Sequence, residues 1–374
     1  MIKKRAVPWA DPILDQKEIT KVLKVFKSQR FTSGLNVKLL EKKIAKYCNA
    51  KYALLVSNGT VALDLALKSQ HINQNDEVIV PAMTYFSTAS SISYQNAKPV
   101  FVDINPDTFN LDPDKIQRAI TKKTKAIIFI DYGGFPAEVD KIKKIAKINN
   151  LKLIHDAAQS LGAKYKNKNM GLNGDISTMS FHMAKIMTTI EGGVIFTNNS
   201  RTYHEIKTLR NIGEPSNKKY IHTHLGTNAR MTEIQAAIGL SQFSKLNNFL
   251  VKRKKICLKY NKILKGMKNI IKLPIIEEKN KKSANFFYPI LVNNRDFVAK
   301  KLRSDYNIDT RVAYPMPIYN QPIYKNNKMS FKKELCKNAE YVTSKVLNLP
   351  LYPSMKTSDI FYVTNSLKKI LNNK

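Results

Sequence analysis

The sequence predicts an α/β protein: a large domain with a mainly parallel central sheet, followed by a small C-terminal α+β domain. Three observations carry this. Over the first 240 residues, short apolar strand signals alternate with amphipathic helical segments. Around Met231 the pattern changes to one long helical run. Beyond about residue 285 a strand signal, FFYPILV, is followed by a helix, and the end of the chain is helical, which reads as a small α+β unit.

Taken in order, IAKYC reads as the end of a helix and YALLV as the first strand. VALDLALK is helical, EVIVPAM a strand, and a helix-like stretch leads to the strand KPVFVDI. KAIIFI is a strand, a helix begins near Ala137, and LKLIH, DISTMSF and GVIFT complete the set. Strands this apolar, separated by amphipathic segments, are covered on both faces, which favours a parallel sheet. The run TEIQAAIGLSQFSKLNNFLVKRKKICLKYNKIL is long enough to join two domains. The expected boundary lies near residue 245, giving domains 1–244 and 245–374. In the second, a helix starts near Arg295 and the end is helical.

Composition narrows the function. An apolar fraction of 43% supports a sizeable core. The N-terminal MIKKRAVPWADPILD has basic residues but no apolar run behind them, against a signal peptide. AIIFI and similar stretches are too short to span a membrane. Cys48, Cys257 and Cys336 stand far apart and form neither a CxxC pair nor a disulfide ladder. Reduced thiols in a cytoplasm are expected. The formal net charge of +35 raises the question of nucleic acid. The lysines are spread along the whole chain, with only short runs such as KRKK at 252–255, so nucleic-acid binding is not expected.

Three constellations carry chemistry. Ser57-Asn58-Gly59-Thr60 lies between a strand and a helix. A glycine and hydroxyls there expose N–H groups at a positive helix end, which suits phosphate; taken alone, the motif reads first as an ordinary turn with an N-cap. His155-Asp156-Ala157-Ala158-Gln159 closes a strand, and Asp156 stands where open α/β sheets place ligands. A plain helix cap is the alternative. Ser180-Phe181-His182-Met183-Ala184-Lys185, with Glu191-Gly192-Gly193 after it, sets one lysine in a charge-poor loop. A lysine whose surroundings depress its pKa forms Schiff bases with aldehydes.

Together these segments resemble the DegT-type nucleotide-sugar aminotransferases, which are fold-type-I pyridoxal-phosphate enzymes. The resemblance is ordered. It begins at Phe31-Thr32-Ser33-Gly34 and runs through VSNGTVALDLAL, DEVIVPAMTYFSTA, PVFVDINPDTFNLD and HDAAQSLGAKY. It continues through SFHMAKIMTTIEGG and GTNARMTEIQAAIGLSQ to TRVAYPMPIYNQPIY and VLNLPLYPS. It implies pyridoxal 5'-phosphate as cofactor and Lys185 as its Schiff-base lysine and proton carrier. It implies that Asp156 pairs with the pyridine nitrogen, that Gln159 bonds the ring hydroxyl oxygen, and that Tyr85 stacks on the ring. Gly59, Thr60 and Ser180 would hold the phosphate. Asn228 would reach the phosphate of a neighbouring subunit, so a homodimer with shared sites is implied.

The sequence also departs from the family. His155 stands where an acidic residue is usual, and Ile190 where a glycine often precedes Glu-Gly-Gly. Tyr319 replaces a histidine of a substrate-facing loop, and Asp131-Tyr132-Gly133-Gly134 replaces a histidine-containing stretch. The last two bear on the identity of the sugar. Lys185 argues against the related sugar dehydratases, in which histidine takes its place. The expected reaction is a two-step transamination. Glutamate donates the amino group, and a keto-sugar linked to a nucleoside diphosphate accepts it, for amino-sugar synthesis of a surface polysaccharide or glycoconjugate. Arg230 and Arg311 are candidates for the diphosphate or the donor carboxylate, or else ordinary surface arginines. Dehydration on the same scaffold and a non-enzymatic basic regulator are the alternatives. No metal is expected.

Overall fold

The computed structural model describes residues 6–326 and 328–372. Two helices come first, α1 (Gln16–Ser28) and α2 (Leu35–Tyr47). Asp15 and Glu18 cap α1 reciprocally. Next are β1 (Tyr52–Val56), α3 (Gly59–Ser69), β2 (Glu77–Pro81), α4 (Phe86–Tyr94) and β3 (Lys98–Val102). These lead to α5 (Pro113–Ala119), β4 (Thr124–Ile130), α6 (Val139–Ile148) and β5 (Lys152–Asp156). A small hairpin, β6 (Lys164–Tyr165) and β7 (Lys168–Asn169), precedes β8 (Ile176–Ser180), β9 (Gly193–Thr197) and α7 (Ser200–Leu209). The long run is a single helix, α8 (Glu233–Leu264), started by a Thr232–Gln235 capping box.

After α8 the chain forms β10 (Ile270–Lys272), the hairpin β11 (Glu277–Glu278) and β12 (Lys281–Lys282), and β13 (Pro289–Val292). Then follow α9 (Arg295–Tyr306), the short α10 (Pro322–Lys325), β14 (Lys332–Lys333), α11 (Lys337–Lys345), β15 (Val346–Asn348) and α12 (Thr357–Asn372).

The central sheet has the order β1-β9-β8-β5-β4-β2-β3-β14. Every pairing from β8 to β14 is parallel; β9 runs antiparallel to both β1 and β8. The α/β class with a mainly parallel sheet is therefore correct. Strands β2 and β9 are buried throughout, as a sheet covered on both faces requires. The strand expected at FFYPILV is shorter than its apolar run. Pairing begins only at Pro289, because Phe286 and Phe287 donate their N–H groups to the Gly133 carbonyl instead.

Buried apolar side chains form two clusters. The changeover lies inside α8: Leu246 belongs to the first, and Ile256, Cys257, Tyr260 and Leu264 to the second. Three stretches cross this division. Val7 packs with the second cluster, whereas Ala284, Phe286, Phe287 and Leu291, and further on Tyr314, Ile318, Tyr319, Tyr324 and Val342, pack with the first. No helix among the described residues is long and apolar enough to cross a membrane. All three cysteines are free and buried.

Candidate active site

The C-terminal ends of β5 and β8 face the starts of α3 and α4. Asp156 is the last residue of β5, in register with Ile130 on one side and Thr178 on the other. Its Oδ2 accepts a bond from Thr88 Oγ1 at 2.7 Å, and its Oδ1 one from the Ala158 N–H at 3.2 Å. With the Thr88 proton spent on the carboxylate, Thr84 Oγ1, 2.9 Å away, is the donor to Thr88. Neither threonine was singled out in the sequence. Their signal was a pair of hydroxyl residues four apart at the start of a helix.

Gly59 opens α3, and Asn58 caps it by accepting from the Val61 N–H. A Cβ on Gly59 would lie 2.8 Å from the Ser180 Cβ, so only glycine lets the helix start come this close to the end of β8. The first N–H groups of α3 have no intrahelical acceptor and point at the helix's positive end. Thr60 Oγ1 lies 2.7 Å from Ser87 Oγ, which brings the start of α4 to the same place. Glycine, three hydroxyls and two helix starts thus meet in one cradle. Ser87 is a member that the sequence reading missed.

Lys185 follows β8 in a loop closed on itself. Phe181 donates its N–H to Gly192, Thr189 donates to Phe181, and Lys185 donates to His182. Its Nζ stands 4.7 Å from the centre of the Phe286 ring. Loss of water around the ammonium lowers the Lys185 pKa to about 8, and the charge of Asp156 opposes that shift. The two groups are close enough to act on each other. Gln159 is buried between Gly133, whose N–H it accepts at 2.8 Å, and the Tyr314 hydroxyl, to which it donates at 2.9 Å.

The remaining candidates are dispersed. Tyr85 precedes α4 and is 60% exposed. Asn228 is exposed on a loop that pairs with Asn211, and Arg230 bonds the Asn211 side chain. Arg311 lies over the Trp9 ring at 4.9 Å. Tyr319 does not join the site. It is 2% exposed, its ring packs on Phe101, and its hydroxyl donates to Glu340 of α11 at 2.8 Å. That placement corrects the expectation of a substrate contact. The departures at 131 and 155 also prove to be one feature. Buried His155 Nε2 and Asp131 Oδ2 are 2.8 Å apart, so the carboxylate missing at 155 comes from 131. Asp131 therefore faces His155, not a sugar.

The sequence matches the model of the DegT/DnrJ/EryC1/StrS aminotransferase family over residues 12–368. The chain belongs to this family. A pleiotropic regulatory protein of Geobacillus stearothermophilus is 37% identical over 352 residues, covering 94% of this chain and 93% of that protein. The GDP-perosamine synthase of Escherichia coli O157:H7 is 34% identical over 373 residues, with coverage of 98% and 99%. Among solved structures, NtdA of Bacillus subtilis with bound PMP superposes with a TM-score of 0.87 at 29% identity. That superposition covers 96% of this chain and 83% of NtdA.

As a DegT-family member the chain is a pyridoxal-phosphate-dependent aminotransferase of fold type I. The groups gathered at the C-terminal ends of β5 and β8 suit such a cofactor. A hydroxyl-lined helix start suits a phosphate, a buried carboxylate suits a ring nitrogen, and an amine of depressed pKa suits an aldehyde.

Proposed function

We propose that this DegT-family chain moves the amino group of L-glutamate to a keto group of a nucleotide-linked sugar, in amino-sugar synthesis for a surface polysaccharide or glycoconjugate. The E. coli relative's name, GDP-perosamine synthase, supports the substrate class. The observation that carries the chemistry is Lys185, with its pKa of about 8, in charge reach of Asp156. Near that pH a useful share of the side chain is neutral amine. It can form a Schiff base and later accept or return a proton at Nζ.

When bound, pyridoxal phosphate supplies an electrophilic carbonyl and an electron-withdrawing ring. Asp156, held by Thr88 and the Ala158 N–H, would pair with the ring nitrogen and keep a proton on it. Gly59, Thr60 and Ser180 hold the phosphate, with Ser87 beside Thr60. Gln159 bonds the ring oxygen, and Tyr85 covers the ring face. Arg311, stacked on Trp9, and Arg230 are the candidates for the diphosphate or the donor carboxylate. The same reading keeps two domains, 1–244 and 245–374, supported by the change of apolar cluster inside α8. It also sets the enzyme in the cytoplasm.

The test is spectroscopic. Pyridoxal phosphate added to the purified protein should give a visible band that borohydride abolishes and glutamate shifts. Lys185→Ala should keep the fold and lose both band and turnover. An active Lys185→Ala protein would falsify the reading.

The proposal includes a homodimer with shared sites. Exposed apolar residues support it: Tyr85, and Tyr220, Ile221 and Leu225 of the loop before Asn228. In a dimer, Asn228 serves the neighbour's phosphate. Subunits carrying Lys185→Ala mixed with subunits carrying Asn228→Ala should then regain activity, because one site of the mixed dimer is whole. Subunit exchange without recovery would rule the shared site out.

A further inference from the structure

Gln159 is held at both ends, and its two partners differ in what they can do. The Gly133 N–H lies 2.8 Å from Oε1, and a backbone N–H can only donate. The oxygen end of the amide must therefore face Gly133. Nε2 then faces Tyr314, 2.9 Å away, and spends one of its two hydrogens on the Tyr314 hydroxyl. The other hydrogen has no acceptor among the described residues.

Tyr314 is itself rigidly placed. It is buried, its ring meets Tyr132 edge-on at 5.8 Å, and its backbone belongs to the segment that returns from α9 to the first apolar cluster. Burial, with the Tyr132 phenol and the Asp156 carboxylate nearby, holds its hydroxyl well above the ordinary tyrosine range. It stays a neutral hydroxyl whose oxygen accepts from Gln159. Gly133 has a positive φ of 63° and also accepts the N–H of Phe286, the residue beneath Lys185. The turn at 133 and the Tyr314 segment thus grip the amide from opposite ends.

We propose that Tyr314 is a positioning residue: with Gly133 it locks the Gln159 amide so that only an N–H, never the carbonyl oxygen, is presented to the ring oxygen of the cofactor. This rests on the reading of Gln159 as the contact to that oxygen. The consequence is electrostatic. When the cofactor is bound to Lys185, its ring oxygen would share the proton of the lysine nitrogen. A donor held against the oxygen competes for its lone pairs and makes that proton easier to lose. Without the Tyr314 hydroxyl Nε2 loses its anchor, its N–H is no longer held against the ring oxygen, and the competition weakens.

The experiment is a pH titration of the visible band of the holoenzyme. Tyr314→Phe keeps the ring and removes the hydroxyl. Its midpoint should rise by about half to one pH unit, the size of one hydrogen bond. Gln159→Leu should raise it at least as much, and the double variant should match Gln159→Leu alone, because Tyr314 acts only through the amide. Gln159→Glu, similar in shape but presenting an acceptor, should raise the midpoint further than Tyr314→Phe. An unchanged midpoint in Tyr314→Phe, or shifts that add in the double variant, would overturn the proposal. A wild-type protein with no visible band would instead overturn the cofactor reading beneath it. If Tyr314→Phe does not fold, Tyr314→Met, which also removes the hydroxyl acceptor, decides: its midpoint should rise likewise, and an unchanged midpoint overturns the proposal.

Discussion

Two buried carboxylates stand at the ends of neighbouring strands, and they have opposite surroundings. Asp131 follows β4 and is closed on all sides. Its Oδ1 accepts from the Ala137 N–H at 2.8 Å, and its Oδ2 meets His155 at 2.8 Å and Ser160 at 2.6 Å. Asp156 ends β5 and, among the described residues, accepts only from Thr88 and the Ala158 N–H. It lies within charge reach of Lys185, with no ion pair to it. A carboxylate offers about four lone-pair positions, so the first is nearly saturated by protein and the second keeps capacity for a ligand. The difference teaches how to separate a structural acid from a functional one when both are buried. The count of partners decides, and burial does not.

The sharpest way to break the comparison is to neutralise each acid. Asp156→Asn should lower turnover by two orders of magnitude or more, about 3 kcal/mol, the scale of one preorganised charge contact. Its urea midpoint should hardly move. Near-normal turnover in steady-state kinetics would remove Asp156 from the chemistry. Asp131→Asn should do the reverse. Breaking a buried, hydrogen-bonded pair costs roughly 3–5 kcal/mol of stability, while the visible band of the surviving holoenzyme keeps its pH midpoint. The paired exchange Asp131→His with His155→Glu should destabilise less than either change alone, as measured by urea unfolding. A sum of the two single effects would mean that the two departures from the family do not compensate.

A smaller effect concerns the open side. The Lys185 pKa falls from 10.5 in the unfolded chain to about 8 in the fold. Between those values the unfolded state binds the extra proton, so stability of the cofactor-free protein rises with pH across that window. Below about pH 8 both states are protonated and the slope vanishes. Wild type should therefore gain urea resistance from pH 8 to 10 relative to Lys185→Met. Parallel curves for the two proteins would show that Lys185 is not desolvated.

The smallest effect is at Ile190, exposed, with φ of 71°, in the left-handed region that a β-branched residue rarely enters. Its N–H donates to Thr188 Oγ1 at 2.8 Å, which holds the strained turn after Lys185. Ile190→Gly should raise the thermal midpoint slightly, by at most about 1 kcal/mol in stability, since relief of strain is offset by the glycine's greater freedom when unfolded. A lower midpoint would show that the isoleucine side chain contributes more contact than its backbone costs.

The site was legible in the sequence where its members share short segments. Asp156 and Gln159 stand three residues apart, Ser180 and Lys185 five, and Gly59 and Thr60 adjoin. Local spacing at a strand end is enough to put such residues on one rim. Ser87 and Thr88 of α4, Tyr314 and Phe286 escaped because they join from segments other than those three. Tyr319 was misjudged because its neighbours in the chain, not its side chain, resemble a substrate loop. Five residues away, Tyr314 turns toward Gln159. The departures at 131 and 155 were read separately because they stand 24 positions apart, and only the pairing of β4 with β5 brings them together.

By itself the sequence determined the alternation of strands and helices, the parallel sheet, the long α8 and the lysine–aspartate rim, because these follow from periodicity and from residues close in the chain. Only the tertiary structure decided which buried acid is saturated and which is open, and which tyrosine grips the amide of Gln159. It also decided which apolar cluster receives the segment after α9. Those outcomes depend on donors and acceptors contributed by distant elements, and hydrogen-bond satisfaction at a buried group is a property of the whole packing.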